Sequence, residues 1–280
     1  MQEKWTTIIK PKTGLLEIDV SELIKYKDLI FLFVKRNFSI QYKQTVLGPL
    51  WFLLNPIITT VIYMLVFGQI AGFSTGGVPQ FLFYLGSTAI WQYFAACLNN
   101  TSNTFTSNAG LFGKIYFPRL VIPISTVLFA LINFGVIFVV SLVTAIYYTI
   151  TQQNVMLSGW ILIIPILVLQ TAMLGLGVGI LISSLTTKYR DLMVLVSFGI
   201  QLWMYATPVV YTIDELPEML KKIIIFNPMT SIVNNFRFAL MGCGEMMWSP
   251  WLISWIITLI FLGAGVLLFN KVEKTFMDTV

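Results

Sequence analysis

The side chains that could do chemistry in this chain are few, and most of their combinations fail for lack of a partner. Among 280 residues there is no histidine, which removes the commonest general base and the usual intramembrane proton relay. The two cysteines, Cys97 and Cys243, make neither a disulfide framework nor a zinc set, which needs several nitrogen or sulfur ligands. Both read as packing residues, and no metal is expected. Gly113-Lys114 has the outline of a phosphate loop, but Asn108 stands where the first glycine belongs, Ile115 replaces the Ser or Thr, and no strand precedes it. If ATP is used, another chain must bind it, so no cofactor is expected on this one. Asp191, Asp214, Glu215 and Glu218 are available as acids for a membrane-face transferase, although the topology below puts Asp191 on the opposite side from the others. Arg237 remains, among Asn234, Asn235, Phe236 and Phe238. It is placed either to meet an anionic group on a passing substrate or to donate to carbonyls freed at Pro228.

The elements that must position these residues are dictated by a bilayer. Hydrophobic residues make up 57% of the chain and charged ones 10%, against about 45–50% and about 25% in soluble domains. No charge falls in the 70 residues between Lys43 and Lys114, nor in the 68 between Arg119 and Lys188. A hydrocarbon core of about 30 Å needs about 20 apolar residues per helix, so each stretch holds two helices and a turn. Glycines and Pro79 mark one turn within residues 71–80, and Gln152-Gln153-Asn154 mark the other within 149–158. The pattern predicts an all-α integral membrane protein with six spans, near 50–70, 81–105, 121–148, 159–185, 192–211 and 250–269. These fall in a membrane domain over 48–271, between an N-terminal segment (1–47) and a short tail (272–280).

Of 17 Lys and Arg residues, 14 lie before residue 44, in the connections 108–119 and 186–191, or in the tail, whereas only Lys221, Lys222 and Arg237 fall on the other side. Because positively charged loops stay in the cytoplasm, both termini are expected there. The net charge of +5 is explained by anionic lipid, with no nucleic-acid partner. The start of the chain lacks the apolar core and cleavage site of a secretory signal, so the first spans are expected to direct insertion themselves. An ion-coupled carrier would place acidic or histidine groups within spans, which the charge-free stretches argue against.

Residues 21–43 put Leu23, Tyr26, Ile30, Phe33, Val34 and Phe38 on one side of a helix and Lys25, Asp28, Lys35 and Arg36 on the other, with Ser21 as a possible cap. The pattern predicts an amphipathic helix lying in the cytoplasmic interface, with extension of the first span as the alternative. Between 211 and 250, breakers at Pro217, Asn227-Pro228 and Gly242-Cys243-Gly244 separate two helical runs of about 12 residues, too short to cross. This predicts an outer re-entrant hairpin over about 212–245. Non-helical backbone at membrane depth survives only where protein or water surrounds it, so the hairpin implies a protein-lined path. The run Gly175-Leu176-Gly177-Val178-Gly179 allows close helix approach within the fold. Trp51, Trp91, Trp160, Trp203, Trp248, Trp251 and Tyr211 are expected at span ends, as an aromatic belt.

Several short motifs occur in a fixed order: Gln44-Thr45-Val46-Leu47-Gly48-Pro49-Leu50-Trp51, Lys114-Ile115-Tyr116-Phe117-Pro118-Arg119, Tyr189-Arg190-Asp191-Leu192, Thr207-Pro208-Val209-Val210-Tyr211, Leu216-Pro217, Asn227-Pro228-Met229 and Phe236-Arg237. Together they resemble the membrane subunits of polysaccharide-exporting ABC transporters, the O-antigen and lipopolysaccharide branch above all, from about residue 20 to the end. The resemblance implies a homodimer forming a channel for a lipid-linked glycan, with a nucleotide-binding subunit, carrying ATP and magnesium, under each copy. It implies that residues 110–119 couple to that ATPase through Gly110, Lys114, Tyr116, Phe117, Pro118 and Arg119, with Lys188 and Arg190 nearby. It further suggests a path lined by Tyr63, Trp203, Tyr205, Tyr211, Asn227 and Arg237, whose rings offer flat faces to sugars. Lipid contact or ordinary packing is the alternative for each of the aromatic residues. A drug or small-lipid exporter of the same architecture is the competing function.

Overall fold

A computed structural model describes residues 20–43, 45–112, 114, 117–151, 155–157, 159–186 and 191–275. The expected N-terminal segment before residue 20 and the tail beyond 275 lie outside the described residues. Among the described residues every regular element is helical: α1 (Val20–Lys25), α2 (Lys27–Tyr42), α3 (Trp51–Tyr63), α4 (Gln80–Ser102), α5 (Thr104–Phe112), α6 (Val121–Ile150), α7 (Ile164–Thr186), α8 (Leu192–Tyr205), α9 (Glu218–Ile224), α10 (Pro228–Met241) and α11 (Trp248–Thr275). A 3-10 turn leads into α3 and a π-helical stretch, Met64–Ile70, continues it.

Among the described residues five stretches are long and apolar enough to cross a membrane: Gly48–Ile70, Gln80–Ser102, Val121–Ile150, Gly159–Thr186 and Trp248–Val272. Each coincides with an expected span. The remaining one, expected near 192–211, is the 14-residue α8, about 21 Å long at 1.5 Å per residue. Its uncharged stretch is long enough, but Pro208 disfavours helical backbone at Thr207, and the helix stops at Tyr205.

Helix α4 is the centre of the packing. Of its apolar window 78% is buried, against 17% for Gly48–Ile70 and 22% for Trp248–Val272. Trp91, expected in an aromatic belt, sits mid-helix in α4 and is buried, because α4 is surrounded by protein. Trp251, also expected in the belt, is buried and bonded to Gln170, whereas Trp160 and Trp248, at the starts of their stretches, are half exposed with rings 5.8 Å apart.

Two features hold α4, α7 and α11 together. Within α7 the glycines alternate between neighbours. A Cβ on Gly175 or Gly179 would come within 2.6 Å of Cys97 or Thr101 on α4, and one on Gly177 within 2.7 Å of the Leu262 backbone on α11. The small residues thus bring backbones close inside the fold, where dispersion contacts replace a hydrophobic driving force. Gln170 supplies the second feature: its Nε2 donates to Ser254 Oγ at 2.8 Å, while its Oε1 accepts from Trp251 Nε1 at 2.7 Å. Ser254 Oγ in turn donates to the Pro228 carbonyl at 2.9 Å, tying in the start of α10.

The single amphipathic helix expected over 21–43 is two, α1 and α2, broken at Tyr26. Leu23, Tyr26, Ile30, Phe33 and Val34 turn inward, while Lys25, Lys27, Asp28, Lys35 and Arg36 are exposed. Phe38, expected on the apolar face, is 37% exposed, and Phe31, Leu32 and Ile40 are exposed as well, which departs from a simple two-sided helix. The expected pair of short helices between 211 and 250 is present as α9 and α10. Asn227 caps α10, and Gly242, left-handed at φ 72°, ends it.

Gly177→Ala is expected to lower stability by about 1–3 kcal/mol through overpacking. Gly135→Ala, inside α6 where a Cβ meets nothing within 4 Å, should not lower stability and should raise it by up to about 1 kcal/mol through helix propensity. Thermal unfolding in detergent compares the two.

Candidate functional site

The residues singled out from the sequence gather at two ends of the bundle. At the first end α4 turns into α5 through Asn103, and α5 bends at Asn108 (φ −121°, ψ 16°). Phenylalanine rings then run in a chain. Phe269 of α11 stacks on Phe105 at 4.5 Å, Phe105 meets Phe112 at 5.9 Å, Phe112 meets Phe117 at 5.8 Å, and Phe117 meets Phe33 of α2 at 5.8 Å. All five are buried. Arg119 is 9% exposed and holds its guanidinium 5.6 Å above the Phe112 ring, and Pro118 is buried beside it. Gly110 and Lys114, by contrast, are exposed.

The connection therefore has a buried root (Phe117, Pro118, Arg119) and an exposed, basic tip (Gly110, Lys114). The rings thus join the root of the connection to α2 and α11 through close-packed contacts. Backbone and hydroxyl contacts add a tether to α7: Phe105 N donates to Ser183 Oγ at 3.4 Å, and Thr186 Oγ1 to the Ser102 carbonyl at 3.2 Å. Tyr116, Lys188 and Arg190 lie outside the described residues. Phe33 was expected only on the apolar face of 21–43, and its partners Phe105, Phe112 and Phe269 were not foreseen, since nothing local in the sequence distinguishes them from other apolar residues.

At the other end, Asn227 uses its whole amide. Its Oδ1 accepts from Trp203 Nε1 at 2.9 Å and from Met229 N at 3.1 Å, while Nδ2 donates to the Ala206 carbonyl at 2.9 Å and Thr207 Oγ1 at 2.8 Å. This fastens the end of α8 to the start of α10. Arg237 is 1% exposed, with its guanidinium 4.7 Å above the Phe83 ring and Nη1 donating to the Tyr211 carbonyl at 3.1 Å. The carbonyl it reaches is thus at Tyr211, across the segment that follows α8, and not one of those beside Pro228. Tyr211 in turn donates its hydroxyl to the Tyr205 carbonyl at 3.1 Å.

Tyr63 joins from α3, its hydroxyl 3.6 Å from Met204 Sδ. All six proposed path residues are therefore neighbours along one linked group, although their surroundings differ. Tyr205 is 57% exposed, Tyr63, Trp203 and Tyr211 are half-buried, and Arg237 is enclosed. The same end is closed by Ser74 N donating to Glu215 Oε1 at 2.6 Å, Asn234 Nδ2 to the Glu245 carbonyl at 2.8 Å, and Met247 N to Asn235 Oδ1 at 2.8 Å. Cys243 packs there, its thiol 3.5 Å from the Thr75 carbonyl, and Cys97 packs against Gly175.

Asn227→Ala should destabilise the protein by about 2–3 kcal/mol, because it strips partners from several partly buried groups at once. Lys114→Glu, at an exposed site, should change stability by no more than about 0.5 kcal/mol. Unfolding followed by circular dichroism in detergent measures both.

Comparison with known proteins places this geometry in a family. A model described as ABC-2 type transporter matches residues 28–241, from α2 to the end of α10. The chain is 30% identical over 252 residues to the O-antigen export system permease protein RfbA of Klebsiella pneumoniae, covering 90% of this chain and 94% of that protein. It is 26% identical over 224 residues to the protein of the same name from Myxococcus xanthus, covering 78% and 82%. The inner membrane transport permease YadH of Escherichia coli K12 is 23% identical over 218 residues, covering 76% and 83%. With a match over most of its length and five membrane-crossing stretches among the described residues, the chain is a multi-pass membrane protein of the ABC-2 type transporter family.

Proposed function

We propose that this chain is the channel-forming permease of an ATP-driven exporter in the cytoplasmic membrane, moving lipid-linked polysaccharide outward. The observation that carries the choice of cargo is the likeness, over 90% of the chain, to permeases named for O-antigen export. Two copies form the conduit, and a separate ATPase subunit, which binds ATP and magnesium, docks under each.

The topology in this reading has six crossings with both termini cytoplasmic, in keeping with the 14-to-3 distribution of basic residues. Helix α8 makes the fifth crossing together with the turns that follow it. Its short length is tolerable because that backbone is enclosed by protein: Thr207, Val209 and Val210 are buried, and Thr207 N and Val209 N donate to Met204 O and Thr207 O at 3.1 and 2.7 Å. Irregular backbone at membrane depth requires that kind of enclosure. Helices α9 and α10 form the outer re-entrant hairpin.

The mechanism follows from the buried root and exposed tip. Closure of the ATPase pushes on Gly110 and Lys114, with Tyr116, Lys188 and Arg190 completing the docking surface. The ring chain carries the push to the interfacial helix α2 and to α11. The faces of α3 and α8, where Ile58, Ile62, Val194 and Phe198 are exposed, part or close between the two copies. Sugars pass stepwise along Tyr63, Trp203, Tyr205 and Tyr211, with Asn227 and Arg237 holding the outer frame.

Deleting the gene should trap lipid-linked glycan inside the cell, detected by extraction and glycan analysis. Unchanged surface glycan, with no second exporter present, overturns the assignment and favours a drug or small lipid as cargo. In the reconstituted complex, Lys114→Glu should cut export about tenfold or more per ATP hydrolysed, as repulsion at a docking contact predicts; fully coupled transport by the variant removes the tip from the mechanism.

A further inference from the structure

A partly open cleft of about 190 Å³ lies where the end of α2 meets α3, α4 and α6. It is uncharged and polar. Gln41, Tyr42, Asn55, Gln92 and Asn133 line it, and among the described residues that line it none is acidic or basic. Two of these polar groups are orphaned. The Tyr42 hydroxyl and Asn133 Oδ1 are buried with no hydrogen-bond partner, and Tyr42 as a whole is 9% exposed. Buried polar groups are nearly always paired, so two unpaired ones in one cleft point to a ligand that pairs with them. Burial pushes the Tyr42 hydroxyl up to about 12, which keeps it a neutral donor at physiological pH. A third polar group is the Phe52 carbonyl, from which Pro56 withholds the usual helical donor; both residues line the cleft.

The remaining walls are aromatic. Tyr42 sets its ring edge-on to Phe52 at 4.3 Å, Tyr93 lies 5.2 Å from Phe134, and Trp51, 40% exposed, stands at the rim. Amides and hydroxyls between aromatic walls, without a cation, suit a ligand rich in neutral hydroxyl groups and apolar C–H faces. A phosphate or carboxylate would be buried there without a countercharge. The volume falls below the roughly 300–1,000 Å³ of drug-sized pockets, which limits the occupant to a single ring.

We propose that this cleft is a binding site for one uncharged sugar ring, carried on a lipid anchor or free in water, outside the path between the two copies. Its biological ligand, a sugar of the exported glycan, rests on the function proposed above; the site's chemistry does not. Tyr42 and Asn133 make the directional contacts, and Trp51, Phe52 and Tyr93 enclose the ring.

The test uses the full chain in phosphatidylcholine nanodiscs, free of sugar detergents, and a glucoside bearing an octyl tail and a photoreactive diazirine on the sugar. Labelling should map to peptides covering residues 41–56 and 130–137 and be competed by unlabelled octyl glucoside, but not by a sugarless octyl ethylene glycol. Tyr42→Phe, which keeps the ring and removes an unpaired buried hydroxyl, should fold at least as stably as the parent. It and Asn133→Leu should each lower labelling about three- to tenfold, the loss of one hydrogen bond. Competition by methyl glucoside shows access from water, and its failure shows access from the bilayer; either supports the site. Labelling indifferent to both substitutions, or competed equally by the sugarless tail, means a cleft holding water alone and overturns the proposal. Surface glycan in the deletion strain is read separately. Loss of surface glycan on deletion, without sugar labelling of the chain, removes the site and leaves the function standing, while sugar labelling with surface glycan unchanged on deletion does the reverse.

Discussion

Within the hydrocarbon of a membrane no water is present to satisfy a backbone or side-chain polar group, so each must find its partner inside the protein. The architecture of this chain follows from that constraint. Gln170 can sit fully buried because Ser254 and Trp251 use both ends of its amide, and Ser254 passes the bond on to Pro228. Threonines and serines along the helices donate back to carbonyls three or four residues earlier, as Thr88, Thr171, Ser184 and Thr258 do. Where the helical ladder ends early after α8, Asn227 and the Thr207 hydroxyl take over its work.

The same constraint divides the molecule into a firm part and a loosely covered part. Apolar surface gains little by leaving lipid for another helix, so close association needs small residues or polar ties. Helices α4, α7, α10 and α11 have them, in Gly175, Gly177, Gly179 and the Gln170 network. Helices α3 and α8 have few, and α8 buries no residue fully. The π-helical continuation of α3 also departs from the regular ladder, a feature often found where a helix must adjust. Movement in this chain is therefore expected at α3 and α8, against a fixed frame centred on α4.

Much of this could be read from residue order alone. The charge-free stretches locate four helices to within a few residues, since a bilayer forces both their length and their composition. Breakers at Asn227-Pro228 and Gly242 mark where α10 begins and ends, because proline and glycine act locally. The short α8 was not legible in hydropathy, which counts apolar residues but does not see Pro208 halt the helix. Trp91 was misplaced for a related reason: its surroundings depend on α4 being central, a property of the whole bundle. The ring chain and the Tyr42–Asn133 cleft are tertiary in the same way, joining residues from helices far apart in sequence. Arg237 was singled out correctly as unusual, but its partner at Tyr211 depends on how the segment after α8 folds back.

The buried root and exposed tip of the α4–α6 connection also bear on how such a protein diverges. Phe33, Phe105, Phe112, Phe117 and Phe269 constrain one another, so a change at any of them disturbs the whole set. Gly110 and Lys114 are exposed, where a substitution meets few neighbours. The tip can therefore change its surface chemistry while the rings beneath it stay as they are.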